Sequence, residues 1–422
     1  MRALLTTLIV LLPFIVFSQE PSEGKKTQFV FTPEWMTGIT ADANKDFVEH
    51  GLTNSLYLNF GWENDGNPQE WAQRLKGPRT GFSVSLTDYG NRDSLGMAVT
   101  AMPFVEFEAF RKKNLKIQVG MGGSYFTRKY DSITNPQNQG ITTDVVWSFR
   151  AFMHYQFLSG EKLDWRLGVG YFHHSNGHTR LPNQGLNSFL FSLSADVKNN
   201  KSPLPSEIPI SNFDRSIYSY VSFRFGYGAN VLSKPMVFND NEPIYSVSGE
   251  YGKVLNNTFK LGVGFYYRYY GNYYNYIVDN ESLVQEGREF EHFKDSPTWY
   301  ASAIGLHLNG EVMLNHVGLN AQIGANLFKP GYRIDWRLNE GWNFIPRTIP
   351  ADNNFVLGEF DSQFKMKHII HSRMGIKYYF VGTNTEPRSN VFVGFHINTN
   401  LGQADYTDVS LGYVYNFGFR KR

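Results

Sequence analysis

The chain contains no cysteine among its 422 residues. Disulfide staples are therefore excluded, and so is a lipid anchor on an N-terminal Cys. No sign of charge dominates: 40 basic against 38 acidic residues leave a net charge of +2, which gives no footing for nucleic acid. After the first few residues no apolar run is long enough to cross a bilayer as a helix. A Cys…Trp…Cys pattern, a propeller-like repeat and a phosphate-binding glycine loop are also missing, which argues against the commoner soluble all-β folds and against nucleotide chemistry.

What is present begins with a leader. Met1-Arg2-Ala3 is a short basic stretch, Leu4 to Val16 an apolar core, and Phe17-Ser18-Gln19 a small-residue cleavage site. The core is too short for a membrane span and polar chain follows at once, so residues 1–18 are expected to be a signal peptide. Export without cysteine fits a bacterial envelope. The remainder, 19–422, is aromatic-rich, with 25 Tyr, 35 Phe and 39 Gly. Mean hydropathy is nevertheless negative. Strands that alternate lipid-facing and lumen-facing residues produce this mixture, because half of each strand is polar. Aromatics at both ends would supply the interface girdles.

Fourteen segments of alternating character stand out, among them Gly81–Tyr89, Leu115–Arg128, Leu163–Ser175, Asn187–Val197, Phe259–Tyr270 and Tyr406–Phe419. Thr27–Ile39 and Ser55–Trp62 are weaker and would make sixteen. The expected fold is all-β, a single antiparallel outer-membrane β-barrel of about 14–16 strands occupying 19–422. Short turns are expected at Leu158–Lys162, Leu255–Thr258 and Gly310–Met313. Long external loops are expected near 271–299 and 329–366. The Pro-rich stretch 199–215 breaks the alternation of loop lengths. The aromatic last strand is what barrel-insertion machinery could read, and the bilayer of a Gram-negative outer membrane is the expected location.

One run carries chemistry: Tyr171-Phe172-His173-His174-Ser175-Asn176-Gly177-His178, then Pro182-Asn183-Gln184-Gly185-Leu186-Asn187. Side chains alternate along a strand. Trp165, Leu167, Val169, Tyr171, His173 and Ser175 share one face, apolar until its tip and so expected to face lipid. Arg166, Gly168, Gly170, Phe172 and His174 share the other. In the following strand Asn187 falls on the same lipid side as His173 and Ser175. A serine needs an adjacent base to become a nucleophile, and the base needs a third group to hold its tautomer. Asn176, Gly177 and Asn183 are local candidates for an oxyanion hole. The plain alternative is an interface histidine with a hydroxyl nearby. A three-His metal site from His173, His174 and His178 is disfavoured, since the first two point to opposite faces. No metal and no cofactor are expected.

His173-His174-Ser175-Asn176-Gly177 followed by Pro182-Asn183-Gln184-Gly185 resembles the signature of the lipid A 3-O-deacylase (PagL-type) family, roughly His-x-Ser-Asn, a short gap, then Pro-Asn-x-Gly. Softer matches at Trp71, Gly77-Pro78-Arg79, Gly120–Gly123, Asn135-Pro136-Gln137-Asn138 and Leu401–Asp405 are similar to the long members known as acyloxyacyl hydrolases. The resemblance implies a serine esterase that removes an ester-linked acyl chain from lipid A. Ser175 matches its nucleophile, His173 its base, and Asn183, with Asn176, its oxyanion positions. The family's small eight-stranded barrels imply a wider lumen for this longer chain. One position departs: fourteen residues after the His the family has an acid, and here stands Asn187. Asp196 and Glu250 are acids nearby in strand order, but neither is promoted in its place. The expected function is therefore lipid A deacylation, with lipid A or another membrane lipid as substrate. The alternative is a non-catalytic barrel acting as a pore or envelope structural protein.

Overall fold

The computed structural model describes residues 26–44, 47–109, 114–197, 213–232, 240–341 and 363–421. The proposed signal peptide and most of 199–215 lie outside these. Sixteen strands form among the described residues. The first eight are β1 (Lys26–Ala41), β2 (Thr53–Gly66), β3 (Arg79–Asp88), β4 (Met97–Glu108), β5 (Leu115–Phe126), β6 (Val145–Ser159), β7 (Leu163–Ser175) and β8 (Leu186–Val197). The second eight are β9 (Ser216–Asn230), β10 (Glu242–Leu255), β11 (Phe259–Tyr270), β12 (Ser302–Leu314), β13 (Val317–Phe328), β14 (Ile370–Tyr379), β15 (Ser389–Asn400) and β16 (Gln403–Lys421). The two weak segments near the N-terminus are thus full strands. The expected turn at Gly310–Met313 is instead part of β12, and the chain reverses at Asn315-His316, where Asn315 takes a φ of 65°.

The strands do not close as one barrel. β8 pairs back onto β1 with Phe189 opposite Ile39, and β16 pairs back onto β9 with Tyr415 opposite Val221. The result is two closed antiparallel barrels of eight strands, in two compact units. This corrects the expected single wide barrel and its wide lumen. The reason is physical: alternation fixes which face a residue takes, but closure depends on which distant edges meet, and an eight-strand sheet already has the curvature to close on its own side chains. The Pro-rich stretch 199–215 is where one unit's last strand gives way to the other's first.

Both barrels turn apolar side chains outward and charged ones inward. Trp35, Leu56, Leu167, Val169 and Phe191 are exposed on the first, and Phe223, Leu261, Phe265, Leu308 and Ile323 on the second. In water each such side chain would forgo about 1.5–3 kcal/mol of burial. A handful equals the whole stability of an ordinary domain, about 5–15 kcal/mol. A hydrocarbon surround removes that conflict, so these are membrane-facing surfaces. Among the described residues no helix is long and apolar enough to span; strands do the crossing.

The interiors are filled. In the first barrel Arg166 clamps Glu106 at 3.0 and 2.9 Å, Arg79 clamps Asp196 at 3.0 and 2.9 Å, and Arg150 and His154 meet Glu34 at 3.0 and 2.8 Å. In the second, Lys377 meets Glu311 at 2.7 Å, and Arg224 and Arg373 each meet Asp408 at 3.2 Å. Asp196 thus faces the lumen, as its phase in β8 requires.

At one end of the first barrel the connections are 67–78, 109–114 and 160–162; at the other, 42–52, 89–96, 127–144 and 176–185 are longer on average and pack over Tyr89, Leu95, Phe126, Ile141 and Leu186. Long connections mark the external side of such barrels. In the second barrel the expected long loops are partly helical. The first carries α2 (Gly271–Val278) and α3 (Pro297–Tyr300); the second carries α4 (Tyr332–Gly341) and α5 (Gln363–Ile369), α1 being the short Glu70–Arg74. Tyr270, Tyr273, Phe290, Phe293, Ile334 and Leu338 form an apolar core there.

Candidate active site at the rim of the first barrel

β7 and β8 place His173 against Asn187 at the external rim, while Ser175, at the end of β7, meets Asn183. Their register sets His173 directly opposite Asn187 and Tyr171 opposite Phe189. The short return between them depends on Gly185. Its φ is 70°, and a Cβ there would sit 2.7 Å from the His174 carbonyl oxygen and 3.4 Å from His173 Cε1. Glycine adopts that left-handed backbone readily and leaves room for the His174 carbonyl, which a Cβ would crowd. Gly177, just past β7, also has a left-handed backbone, with φ of 67°; it shapes the turn.

His173 Nδ1 lies 2.8 Å from Asn187 Oδ1. An amide oxygen only accepts, so Nδ1 carries the proton and Nε2 is left as the basic nitrogen. The Tyr171 hydroxyl donates to the same Oδ1 at 2.5 Å. Tyr171 also stacks beside His173, with ring centroids 6.2 Å apart and planes 12° apart. Sequence reasoning counted Tyr171 as a member of the apolar face and missed this bond. The signal was available: a phenol two residues before the histidine, on the same face.

Ser175 ends β7 on the His173 side of the pleat, but it is enclosed by loops, 3% exposed, rather than bare to lipid. Asn183 Nδ2 donates to Ser175 Oγ at 3.0 Å, and Asn183 Oδ1 accepts the Asn176 backbone N–H at 3.2 Å. Asn176 Nδ2 in turn donates to Thr142 Oγ1 at 2.8 Å, whose hydroxyl donates to the Pro182 carbonyl at 2.7 Å. The 127–144 connection thereby holds the 176–185 connection over the serine. Backbone bonds from Gln184 to Gln139 and from Gly185 to Gly140 complete the join. Thr142 is a second residue the sequence reading missed, since its role exists only once two loops meet.

His174 faces the interior. Its ring packs against Phe172 and Phe126, with centroids 4.2 and 5.2 Å away, and its Nδ1 is 2.9 Å from Ser148 Oγ. It cannot converge with His173 on one ion. Among the described residues no three His, Asp or Glu side chains are grouped to hold a metal.

One step below His173 on the outer wall lies an apolar groove of about 640 Å³. Ile39, Met153, Val169, Tyr171, Phe189 and Phe191 form its sides, and Ala151 keeps its floor low. Ala151 pairs with Tyr171, and Phe149, one step on, pairs with His173. The groove ends at Ala151 and Tyr171, one step along the strand face from His173.

Residues 34–196 match the family model described as lipid A 3-O-deacylase (PagL), and residues 238–338 match acyloxyacyl hydrolase, C-terminal domain. Together the two span more than half of the chain. The gap between them falls where one barrel gives way to the next. Among solved structures, the outer membrane enzyme PagL is 20% identical over 39% of this chain and 97% of its own, with a TM-score of 0.29. The high-pH structure of Pseudomonas putida OprB is 10% identical over 93% of this chain and 94% of its own, with a TM-score of 0.20. Neither likeness is high enough to argue function from. No curated protein matches the chain.

Proposed function

The chain belongs to the lipid A 3-O-deacylase (PagL) family of the outer membrane, and from that premise we propose that its first barrel is a serine esterase cleaving an ester-linked acyl chain from lipid A. Ser175 Oγ attacks the ester carbonyl while His173 Nε2 takes its proton. The negative charge that develops on the carbonyl oxygen is met by the Asn183 amide, already a donor at Ser175 Oγ. His173 then protonates the leaving alkoxide. Water hydrolyses the acyl-enzyme by the same base. The acyl chain enters sideways from the bilayer along the groove of Ile39, Val169, Tyr171 and Phe189.

The observation that carries this reading is the His173–Asn187 pair on a strand face that is otherwise hydrocarbon-facing, two residues from a serine held by an amide donor. A polar pair on that face has no use in a pore. The pore reading also lacks a channel, because eight-stranded barrels fill their interiors with side chains and both interiors here are occupied by buried ion pairs.

The test is mass spectrometry of lipid A from cells expressing the parent protein or Ser175→Ala. The parent is expected to produce lipid A lighter by one acyl chain, and Ser175→Ala to lose that activity by at least about 10³-fold. Identical lipid A with and without the folded parent protein would overturn the proposal.

A further inference from the structure

An amide beside the base poses a problem that a carboxylate does not. A carboxylate presents oxygen whichever way it turns. Asn187 presents oxygen in one orientation and an NH2 group in the other. If the NH2 faced His173, it would donate to Nδ1, and the imidazole would carry its proton on Nε2, the nitrogen that must accept from Ser175. An Asp-to-Asn change in a Ser-His-Asp triad creates that wrong tautomer and lowers turnover about 10⁴-fold.

We infer that Tyr171 is the positioning residue that prevents this: its hydroxyl fixes the Asn187 amide with oxygen toward His173, and so keeps the imidazole in the Nδ1–H form. The inference rests on the esterase reading for its catalytic meaning, but the tautomer itself does not.

Hydrogen-bond counts favour one orientation of the amide. With Oδ1 inward, its two lone pairs accept from Tyr171 O–H at 2.5 Å and from His173 Nδ1–H at 2.8 Å. With the amide reversed, NH2 would donate to both groups, and the phenol proton would have nowhere to go. Asn187 is the acceptor that Tyr171 has. Around it are the Phe189 ring, 5.4 Å away, and the apolar groove. One unmade hydrogen bond in such surroundings shifts an equilibrium by roughly 5- to 150-fold. The phenol thus supplies the directional bias that an acid at position 187 would not need.

The experiment uses full-length protein folded in detergent micelles, with ¹⁵N-labelled imidazoles and His173→Gln to assign the His173 signals. Heat-modifiable migration on gels verifies folding of each variant. In the parent, His173 is expected to be protonated on Nδ1; in Tyr171→Phe, the Nε2–H form becomes a major species. The matching kinetic result is a fall in kcat of up to the same 5- to 150-fold for Tyr171→Phe, with KM unchanged. In an Asn187→Asp background, where no amide can turn, the same Tyr171→Phe change should have little effect. An unaltered tautomer in Tyr171→Phe, or an equal kcat loss in both backgrounds, overturns the inference. A tautomer shift in a protein whose parent form leaves lipid A untouched supports it and overturns the esterase reading instead.

Discussion

The two barrels share a strand architecture and differ in their loops and in one imidazole-bearing patch of the outer wall. Each has eight strands, an apolar outer wall and an ion-paired interior. In the first, two adjacent strands carry a polar pair to the outward rim above a groove floored by Ala151. In the second, the outer wall of the strands is mainly apolar or aromatic, as at Phe223, Phe225, Leu261, Val263 and Leu308, and its outward polar contact at the Ser372–Thr399 rim is a hydroxyl pair at 2.6 Å with no imidazole. Its buried ion pairs are gathered inward, as with Glu311, Lys377 and Asp408. The comparison separates what an eight-strand barrel needs in order to stand from what it needs in order to act. The interior network belongs to the first requirement and the rim patch to the second.

That separation can be broken from the inside. Glu106 is buried against Arg166, with Arg79 at 3.4 Å, and Glu311 against Lys377, with Lys260 at 4.0 Å. Removing one partner leaves buried cations with less compensation, which destabilises by up to about 3–5 kcal/mol. Glu106→Gln and Glu311→Gln are therefore expected to lower the unfolding midpoint in urea by similar amounts, since both act on the shared architecture. Deacylation per folded molecule should survive Glu311→Gln. Loss of activity in a fully folded Glu311→Gln protein would mean that the second barrel takes part in the chemistry.

A smaller effect sharpens the comparison from the outside. Ala151 is the low point of the groove, and Ala321 is an outward alanine on β13 of the second barrel. Ala151→Trp should fill the path of the acyl chain and change the preference among chain lengths by about 10- to 200-fold, the worth of a few methylenes in an apolar site. Ala321→Trp should change nothing in the lipid A product. Rates on substrates of graded acyl length, measured for both variants, check this. Equal rates for Ala151→Trp and the parent on every chain length would remove the groove from the mechanism.

Much of this was legible in the residues because it is local. Alternation located all sixteen strands, down to the ends of β7 and β11, and the pleat put His173, Ser175 and Asn187 on one side. Closure was not legible. The Phe189–Ile39 pairing of β8 with β1 and the Arg79–Asp196 clamp join residues more than a hundred positions apart, and no period in the chain encodes them. The enclosure of Ser175 escaped for the same reason: Thr142 and Pro182 join two connections whose docking no strand pattern reveals. Tyr171 is a different case. Its face was read correctly, but a tyrosine among Leu167, Val169 and Phe189 reads as interface aromatic, and only the 2.5 Å bond to Asn187 separates a girdle residue from a working one.

The smallest expected effect concerns Asn187 itself. The loss of about 10⁴-fold when a triad acid becomes an amide has two parts: a wrong tautomer, and a weaker partner for the imidazolium. Tyr171 answers the first part, so only the second is left for Asn187→Glu to recover. A hydrogen bond to a charged group is worth about 1 kcal/mol more than a neutral one. The change should therefore preserve deacylation or raise kcat several-fold, far below 10⁴, when lipid A turnover is followed by mass spectrometry. A rise approaching 10⁴-fold would mean that the amide had been holding the wrong tautomer and that Tyr171 was not correcting it. Abolition would mean that position 187 is not the third member of the site, and the one polar patch that distinguishes the first barrel's wall would then need another explanation.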